Sequence, residues 1–382
     1  MANILWIPHV AWRVPQRPKF FVPYLAKQHT IHVTNWDASF NSVTSLLSRR
    51  SLLNLVPRQW QDGPLSIHHV PRISPALPFP VVRHLNEVIY RRVIESLVTR
   101  YRIQALVGTF VTPPPVGETP SVLDLFDDNP AYWLEQNLVP EYADEIRRNE
   151  DLWARRSEHI VCVSSVLRER CIKERGYPES KLHVIPNGVD LDTYKPPTDR
   201  ASVKESLGLD PNIRYVGVIG SVNKVREVAR ILAVGQRLRD YPSVRLLVVG
   251  HGVGIEQLRQ QASRRNIDVD LAGFQIGERL LKFYQALDIG LCPYTITTGS
   301  NAICPMRLLH YTAVGSIVVS TDLEEVRRLT FPNVLISESD DEEAFAGTVI
   351  SALKRNPGSP PAQIADYDAR RIAENYHSLI MG

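Results

Sequence analysis

The stretch that most constrains this chain is Leu182 to Leu191, read as Leu-His-Val-Ile-Pro-Asn-Gly-Val-Asp-Leu. His183, Val184 and Ile185 form a short apolar run that ends at Pro186, which has no N–H to offer a sheet ladder. Asn187-Gly188 then supplies residues that tolerate positive φ, so a strand stops in a tight turn. After Tyr194 comes a polar stretch with prolines, Lys195 to Thr198, and beyond it a fresh helix and strand pattern begins. Locally this reads either as a strand end and turn inside one domain or as the junction of two α/β domains. At 382 residues the chain exceeds one typical domain, and two of about 150–200 residues are the natural division.

Hydrophobic residues make up 44% of the chain and charged ones 22%, ordinary for a soluble protein with a sizeable core. A net charge of +3 is too small to argue for a nucleic-acid partner. Cys162, Cys171, Cys292 and Cys304 show no C-x-x-C spacing, and read as reduced thiols of a cytoplasmic protein. The opening Asn3-Ile4-Leu5-Trp6-Ile7 is too short and too soon broken by Pro8 to read as a signal peptide. No apolar stretch approaches the ~18 residues of a membrane span.

In the first half, Ile4–Ile7 reads as a buried strand, 8–19 as an irregular loop, Phe20–Gln28 as a helix and Thr30–Thr34 as a second strand. That βαβ opening starts a doubly wound sheet, without the G-x-G-x-x-G of a dinucleotide site. The loop holds His9, Trp12, Arg13, Gln16, Arg17 and Lys19, which face a ligand if the loop lines a cleft and water if it does not. Ser45–Gln61 and Val81–Gln104 read as basic helices, suited to anionic lipid or to an ordinary solvated face. Ala105–Val111 and Ser121–Phe126 read as further strands, the latter running into Asp127-Asp128-Asn129-Pro130. Two adjacent carboxylates beyond a parallel strand repel, which can raise one pKa and make a proton acceptor. The plainer reading is the start of a helix, capped before Pro130. A helical tract over Tyr132–Glu158, a strand at 160–163 and a helix capped by Ser164-Ser165 complete this half.

In the second half, 215–220 is a strand ending at Gly220-Ser221 before a helix that runs to about Arg239. Such a junction can bring backbone N–H groups to a diphosphate, with Lys224 and Arg226 adding charge, or it can be a simple turn. A strand over 244–250 precedes His251, which reads as structural. Tyr294 ends a later strand, and Thr298 to Gly315 then carries Met306, Arg307 and His310 on one helix face. Asp340-Asp-Glu-Glu343 reads as a helix start that complements the dipole, not as a D-x-D metal pair, so no metal is expected.

Ser164-Ser165, Lys181-Leu-His-Val-Ile-Pro-Asn-Gly-Val-Asp190 and Tyr194, in that order and spacing, resemble the inter-domain segment of GT-B glycosyltransferases of the family 4 type. The resemblance implies two Rossmann-like doubly wound α/β domains facing a cleft. The first is an acceptor domain over 1–193, with a C-terminal helix at 367–382 packing back on it; the second, a nucleotide-sugar domain, spans 198–356. Arg13-Val-Pro-Gln-Arg17 also has the Arg-x-Pro-x-Arg look of the bacterial exopolysaccharide glucuronosyltransferases. From that resemblance His9, Arg13 and Arg17 are expected to bind the acceptor, Asp127 to act as base, and Asp128 to be next in line. Gly220, Ser221, Lys224, Tyr294, Met306, Arg307 and His310 are expected to bind the donor. The expected donor is a UDP-sugar, used without a cofactor. The expected acceptor is a glycan or lipid-linked glycan of the cell envelope, met at the cytoplasmic face of the membrane.

Three departures stand out. Phe110-Val111-Thr112 occupies the place of the histidine that many retaining members carry, and His310 and about Ala302 stand where two donor-site glutamates are usual. They leave open an inverting or retaining enzyme, or a catalytically degenerate GT-B protein acting as a binding module.

Overall fold

A computed structural model of the chain describes residues 1–12, 16–36, 55–73, 79–110, 113–115, 117–135 and 140–382. They divide into two compact units. Unit 1 comprises 1–187 together with 369–382, and unit 2 comprises 188–368. The boundary falls between Asn187 and Gly188, inside the Pro-Asn-Gly turn where the apolar strand runs out.

Unit 1 is built on a sheet of eight described strands in the order β3-β4-β2-β1-β5-β6-β7-β8. These are β1 (Asn3–Trp6), β2 (Thr30–Asn35), β3 (Arg58–Asp62), β4 (Leu65–His69), β5 (Ala105–Gly108), β6 (Ser121–Leu125), β7 (His159–Cys162) and β8 (Leu182–Val184). All pairings are parallel except β3 with β4. Inner strands such as β1 and β5 read as near-continuous apolar runs because helices cover both faces of a parallel sheet, while the antiparallel edge strand β3 is polar and exposed. The helices are α1 (Arg17–Leu25), α2 (Pro80–Tyr101), α3 (Asn129–Glu135), α4 (Pro140–Arg156), α5 (Ser165–Lys173) and, from the far end of the chain, a last one spanning Ala369–Met381. Ser164 caps α5, its hydroxyl accepting from Leu167 N–H at 3.0 Å. The last helix packs on α1. There Tyr376 is fully buried, stacked on Phe21 at 4.8 Å and edge-on to Trp6 at 5.1 Å.

Three expectations are corrected. The loop at 8–19 ends early: α1 begins at Arg17, with Pro18 in the first turn where its missing N–H costs nothing. The basic helix at 45–61 lies outside the described residues through 54, and its end is strand instead, because Asp62-Gly63 turns the chain. The two-residue loop Gly63-Pro64 needs positive φ at its first position, and Gly63 has φ of 58°. The tract from 132 to 158 is two helices, the second starting at Pro140 as a proline at the first helical position favours. Residues 136–139 are outside the described set.

Unit 2 holds a six-stranded parallel sheet, β11-β10-β9-β12-β13-β14. Its strands are β9 (Arg214–Ile219), β10 (Val244–Val249), β11 (Val269–Gly273), β12 (Ile289–Cys292), β13 (Ile317–Ser320) and β14 (Val334–Ile336). Helices α6 (Arg200–Ser206), α7 (Val225–Leu238), α8 (Gly254–Arg264), α9 (Gly277–Ala286), α10 (Thr298–Asn301), α11 (Met306–Ala313), α12 (Glu324–Leu329) and α13 (Glu342–Ala352) connect them; the last helix of unit 1 is then α14. The core joins Val216, Val218, Leu246, Val248, Ile289 and Leu291 to the α7 and α13 faces. Unit 2 begins and ends side by side: Val189 N–H donates to Tyr367 O at 2.8 Å, beside a bridge from Val189 to Asp368.

Candidate active site

In open parallel sheets, ligands gather where strands deliver loops at their carboxyl ends. Each unit has such a rim.

In unit 1 the rim carries His9 after β1, Phe110 after β5 and Phe126-Asp127 after β6. His9 stacks on Phe126 with ring centroids 3.7 Å apart and planes at 21°. Burial pushes its imidazole down to about 3, so it stays neutral. Asp127 is part-exposed, and among the described residues no hydrogen bond or ion pair reaches its carboxylate. Its pKa rises to about 7, first through desolvation and then through the nearby Asp128 and Asp124, against the opposing pull of Arg17. Asp128 next door differs completely. It is 6% exposed, and its two oxygens accept from Arg175 Nη2 at 2.6 Å and Arg170 Nη1 at 3.3 Å. Both of its oxygens are taken by guanidiniums and it is buried, so it has no lone pair turned to an acceptor, and its expected secondary role as a catalyst is set aside.

The first loop also departs from expectation. Arg17 is 4% exposed inside the α1 turn. It donates to Ile185 O at 2.6 Å, Asn187 Oδ1 at 3.1 Å and Tyr376 Oη at 3.0 Å, and it pairs with Asp124 at 3.4 Å. It therefore fastens the end of β8 to the last helix and does not face an acceptor. Gln16 turns inward to Ala11 O. Arg13 lies outside the described residues, as do Val111 and Thr112.

In unit 2 the rim is knitted by backbone. Gly220 N–H donates to Val249 O at 2.8 Å, Val222 N–H to His251 O at 3.1 Å, and Gly250 N–H to Gly273 O at 2.8 Å. The close approach demands glycine: at Gly250 (φ 145°) an added Cβ would lie 2.0 Å from Gly220 O. Gly220 (φ 124°) lies under Arg307, where an added Cβ would meet Nη2 at 3.0 Å. Arg307 comes from the first turn of α11 and donates to Ser221 O at 3.0 Å, its guanidinium 5.0 Å from the Tyr294 ring centre. Gly220, Ser221, Tyr294 and Arg307 thus stand together, with Met306 half-buried beside Arg307 in sequence.

Two donor-site expectations change. The N–H groups of Asn223 and Lys224 at the start of α7 are taken by Glu227 Oε2, at 2.9 and 3.2 Å. The helix brings its own anion, so the N-terminus offers less to a phosphate than Gly220-Ser221 suggested. His310 does not share an open face with Arg307. It is 4% exposed, stacked on Tyr194 at 4.2 Å and packed by Tyr284 at 5.0 Å, and burial pushes its imidazole down to about 3. The inner side of α11 is core, and Ala302 is equally buried.

Sequence reading missed the buried polar groups behind these rims. Glu150 is 0% exposed, bonded to Asn129 Nδ2 at 3.1 Å and Arg175 Nη1 at 2.7 Å. The signal was present, since Glu150 shares the α4 stripe of Ile146 and Trp153 at i+4 and i+7. Arg230, also 0% exposed, donates to Tyr294 O and Asp340 O, both at 2.9 Å, and so fixes the Tyr294 loop. Among the described residues no group of three or more His, Cys, Asp or Glu side chains is arranged to hold a metal ion.

The model of Glycosyltransferase Family 4 matches residues 24–193, and that of Glycosyl transferases group 1 matches residues 200–355. D-inositol 3-phosphate glycosyltransferase of Segniliparus rotundus is 33% identical over 167 residues, 42% of this chain and 37% of that protein. The putative teichuronic acid biosynthesis glycosyltransferase TuaH of Bacillus subtilis is 22% identical over 202 residues, 52% of this chain and 49% of that protein. The chain thus spans less than half the length of these curated relatives. In fold it is similar to Anabaena HepE in complex with UDP and glucose, with a TM-score of 0.68 at 17% identity over 100% of both chains. It is also similar to WaaG, a glycosyltransferase involved in lipopolysaccharide biosynthesis, with a TM-score of 0.64 at 13% identity over 98% of this chain and 95% of that one.

Proposed function

The chain belongs to the GT-B glycosyltransferases, a family 4 domain followed by a group 1 domain, and from that premise we propose that it moves a sugar from a nucleoside diphosphate sugar to an acceptor hydroxyl. The observation that carries this reading is the contrast at the end of β6. Asp127 is accessible, unbonded among the described residues and raised to about 7, while Asp128 is locked away. A carboxylate with a pKa near neutrality is both ionised enough and basic enough to take a hydroxyl proton.

In the proposed reaction the acceptor oxygen bonds to the anomeric carbon, and the bond from that carbon to the diphosphate breaks. The nucleoside diphosphate leaves with the electron pair, and Asp127 takes the hydroxyl proton if the configuration inverts. If it is retained, a donor phosphate oxygen takes the proton and Asp127 orients the acceptor. Unit 2 supplies the donor site, with Arg307 pairing with the diphosphate beside Gly220 and Ser221, and Lys224 and Tyr294 at its edges. We propose a UDP-sugar as donor, without a metal or cofactor, because a guanidinium can balance leaving-group charge by itself.

The acceptor we propose is a glycan of the cell envelope, carried on a lipid at the cytoplasmic face. Exposed Val81, Leu85 and Val88 follow one another along α2, with Arg92 and Arg100 continuing the exposed face. Such a stripe suits anionic lipid. Among the described residues no helix is long and apolar enough to cross a membrane.

The test is calorimetry with UDP, GDP, TDP and ADP on wild type and Arg307→Ala, followed by UDP-sugar turnover with and without EDTA. UDP binding weakened about tenfold or more in the variant, and turnover indifferent to EDTA, is the expected result. No nucleotide binding at millimolar concentration would replace the enzyme with a non-catalytic binding protein, a reading that the buried His310 and Ala302 would then explain.

A further inference from the structure

Behind the Asp127 loop lies a buried ion network that the reaction scheme has not used. Arg175, just past the end of α5, is 9% exposed and spans two acids: Nη2 reaches Asp128 at 2.6 Å and Nη1 reaches Glu150 at 2.7 Å. Glu150, on α4, accepts in turn from Asn129 Nδ2, and the same amide donates to the Asp127 backbone carbonyl at 3.2 Å. Arg170, on α5, adds a second cation at Asp128. The loop 127–129 is therefore held at its carbonyl, at its middle side chain and at the start of α3, where Tyr132 N–H donates to Asp128 O at 2.9 Å. Burial raises the pKa of Glu150, and Arg175 is the cation that opposes that rise.

We propose that Arg175 is a positioning residue for sugar transfer: by bridging Asp128 to Glu150 it fixes the Asp127 loop and neutralises the neighbouring carboxylate, leaving Asp127 as the acid of that loop free to take a proton. This rests on the reading of Asp127 as the base.

The groups that face Asp127 come from several elements. Arg17 on α1 and Asp124 on β6 act on it directly, Asp128 adjoins it, and Tyr376 on the last helix bonds Arg17. Arg170 and Arg175 act through Asp128, and Glu150 through Asn129. His9, neutral, stacks on the adjoining Phe126 and adds no charge. Two substitutions then move Asp127 in opposite directions. Asp128→Asn removes a like charge and makes Asp127 a stronger acid. Arg175→Met leaves Asp128 less well compensated and makes Asp127 a weaker acid.

The experiment follows the Asp127 side-chain carboxyl by 13C NMR titration on the full chain, and in parallel the pH profile of kcat/KM for UDP release from UDP-glucose. Each variant is checked for folding by circular dichroism. The expected result is a midpoint lowered in Asp128→Asn and raised in Arg175→Met, by roughly half to one pH unit each, with the acidic limb of kcat/KM moving alongside. KM for UDP-glucose should stay within about twofold, since the donor groups lie on unit 2. If Arg175→Met does not fold, Asp128→Asn decides alone. Midpoints that stay put in folded variants overturn the role of Arg175. Midpoints that move while the acidic limb does not follow would show instead that Asp127 is not the base, and the inference falls with that reading.

Discussion

The two units bury charge in opposite ways. In unit 1 buried cations end on carboxylates: Arg17 on Asp124, Arg83 on Glu145, Arg175 on Asp128 and Glu150. In unit 2 they end largely on backbone carbonyls: Arg230 on Tyr294 O, Arg200 on Val314 O, Arg307 on Ser221 O and Lys204 on Ile213 O, with Asp340 and Asp288 the acids that Arg230 and Lys204 also meet. A carbonyl does not titrate near neutrality, whereas a buried carboxylate can be moved into that range. Glu150 and Asp127 both rise to about 7, in each case chiefly because loss of solvent disfavours the charged form. Unit 1 thus holds buried acids raised toward neutrality, while the Arg307 guanidinium of unit 2 rests on a carbonyl.

The sharpest way to break that contrast is Asp127→Asn. Turnover of UDP-glucose is expected to fall by roughly 10²–10⁴, while UDP affinity measured by calorimetry changes less than about twofold. A matching loss of affinity would place Asp127 in donor binding and erase the division of labour.

Next in size is Arg230→Met. It strips a buried guanidinium from Tyr294 O and Asp340 and should destabilise unit 2 by about 3 kcal/mol. All six tryptophans, Trp6, Trp12, Trp36, Trp60, Trp133 and Trp153, belong to unit 1. Indole fluorescence therefore reports unit 1 alone, and circular dichroism reports both. In urea the variant should show an early dichroism step without a fluorescence change; coincident transitions would mean that the units unfold as one.

A smaller effect concerns pH and stability. The folded-state pKa of Asp127 is raised, so its contribution is full below the unfolded value of 3.8 and is lost as pH climbs through about 7. Asp127→Asn should raise the fluorescence-detected midpoint at pH 8, by about 1 kcal/mol for a part-exposed group, and give no gain at pH 3.5. Equal effects at both values would refute the raised pKa. The smallest expected change is none: UDP affinity should stay flat from pH 7 to 9, because Arg307 remains charged throughout. A slope there would mean that a titrating group shares the donor rim.

Much of the fold could be read from residues with one unambiguous job. Pro186-Asn187-Gly188 ends a strand wherever it stands, and Ser164 caps α5 by a local hydrogen bond. The apolar runs of β1, β6, β9 and β10 needed only burial to be recognised. What escaped was decided by partners far along the chain. Arg17 resembled a ligand-facing residue in sequence, yet its contacts are Ile185, Asn187 and Tyr376, which no local rule connects to it. Helical spacing and the resemblance both put His310 on the donor-facing side of its helix, yet Tyr194 and Tyr284 cover it. At the candidate site Asp127 was legible as a carboxylate after a strand. Its separation from Asp128 required Arg170 and Arg175, more than 40 positions later.

The closure of unit 1 by α14 sets an order of events during synthesis. Tyr376 joins Arg17 across 359 residues of chain and packs on Trp6 and Phe21 as well, and the whole of unit 2 emerges in between. On the ribosome α14 cannot cover the Phe21 and Trp6 surface until the second unit has been made. Unit 2 has no such dependence, since Val189 and Asp368 meet at its own threshold. Contacts of that sequence separation close slowly, so docking of α14 is expected to be the slow step in completing unit 1.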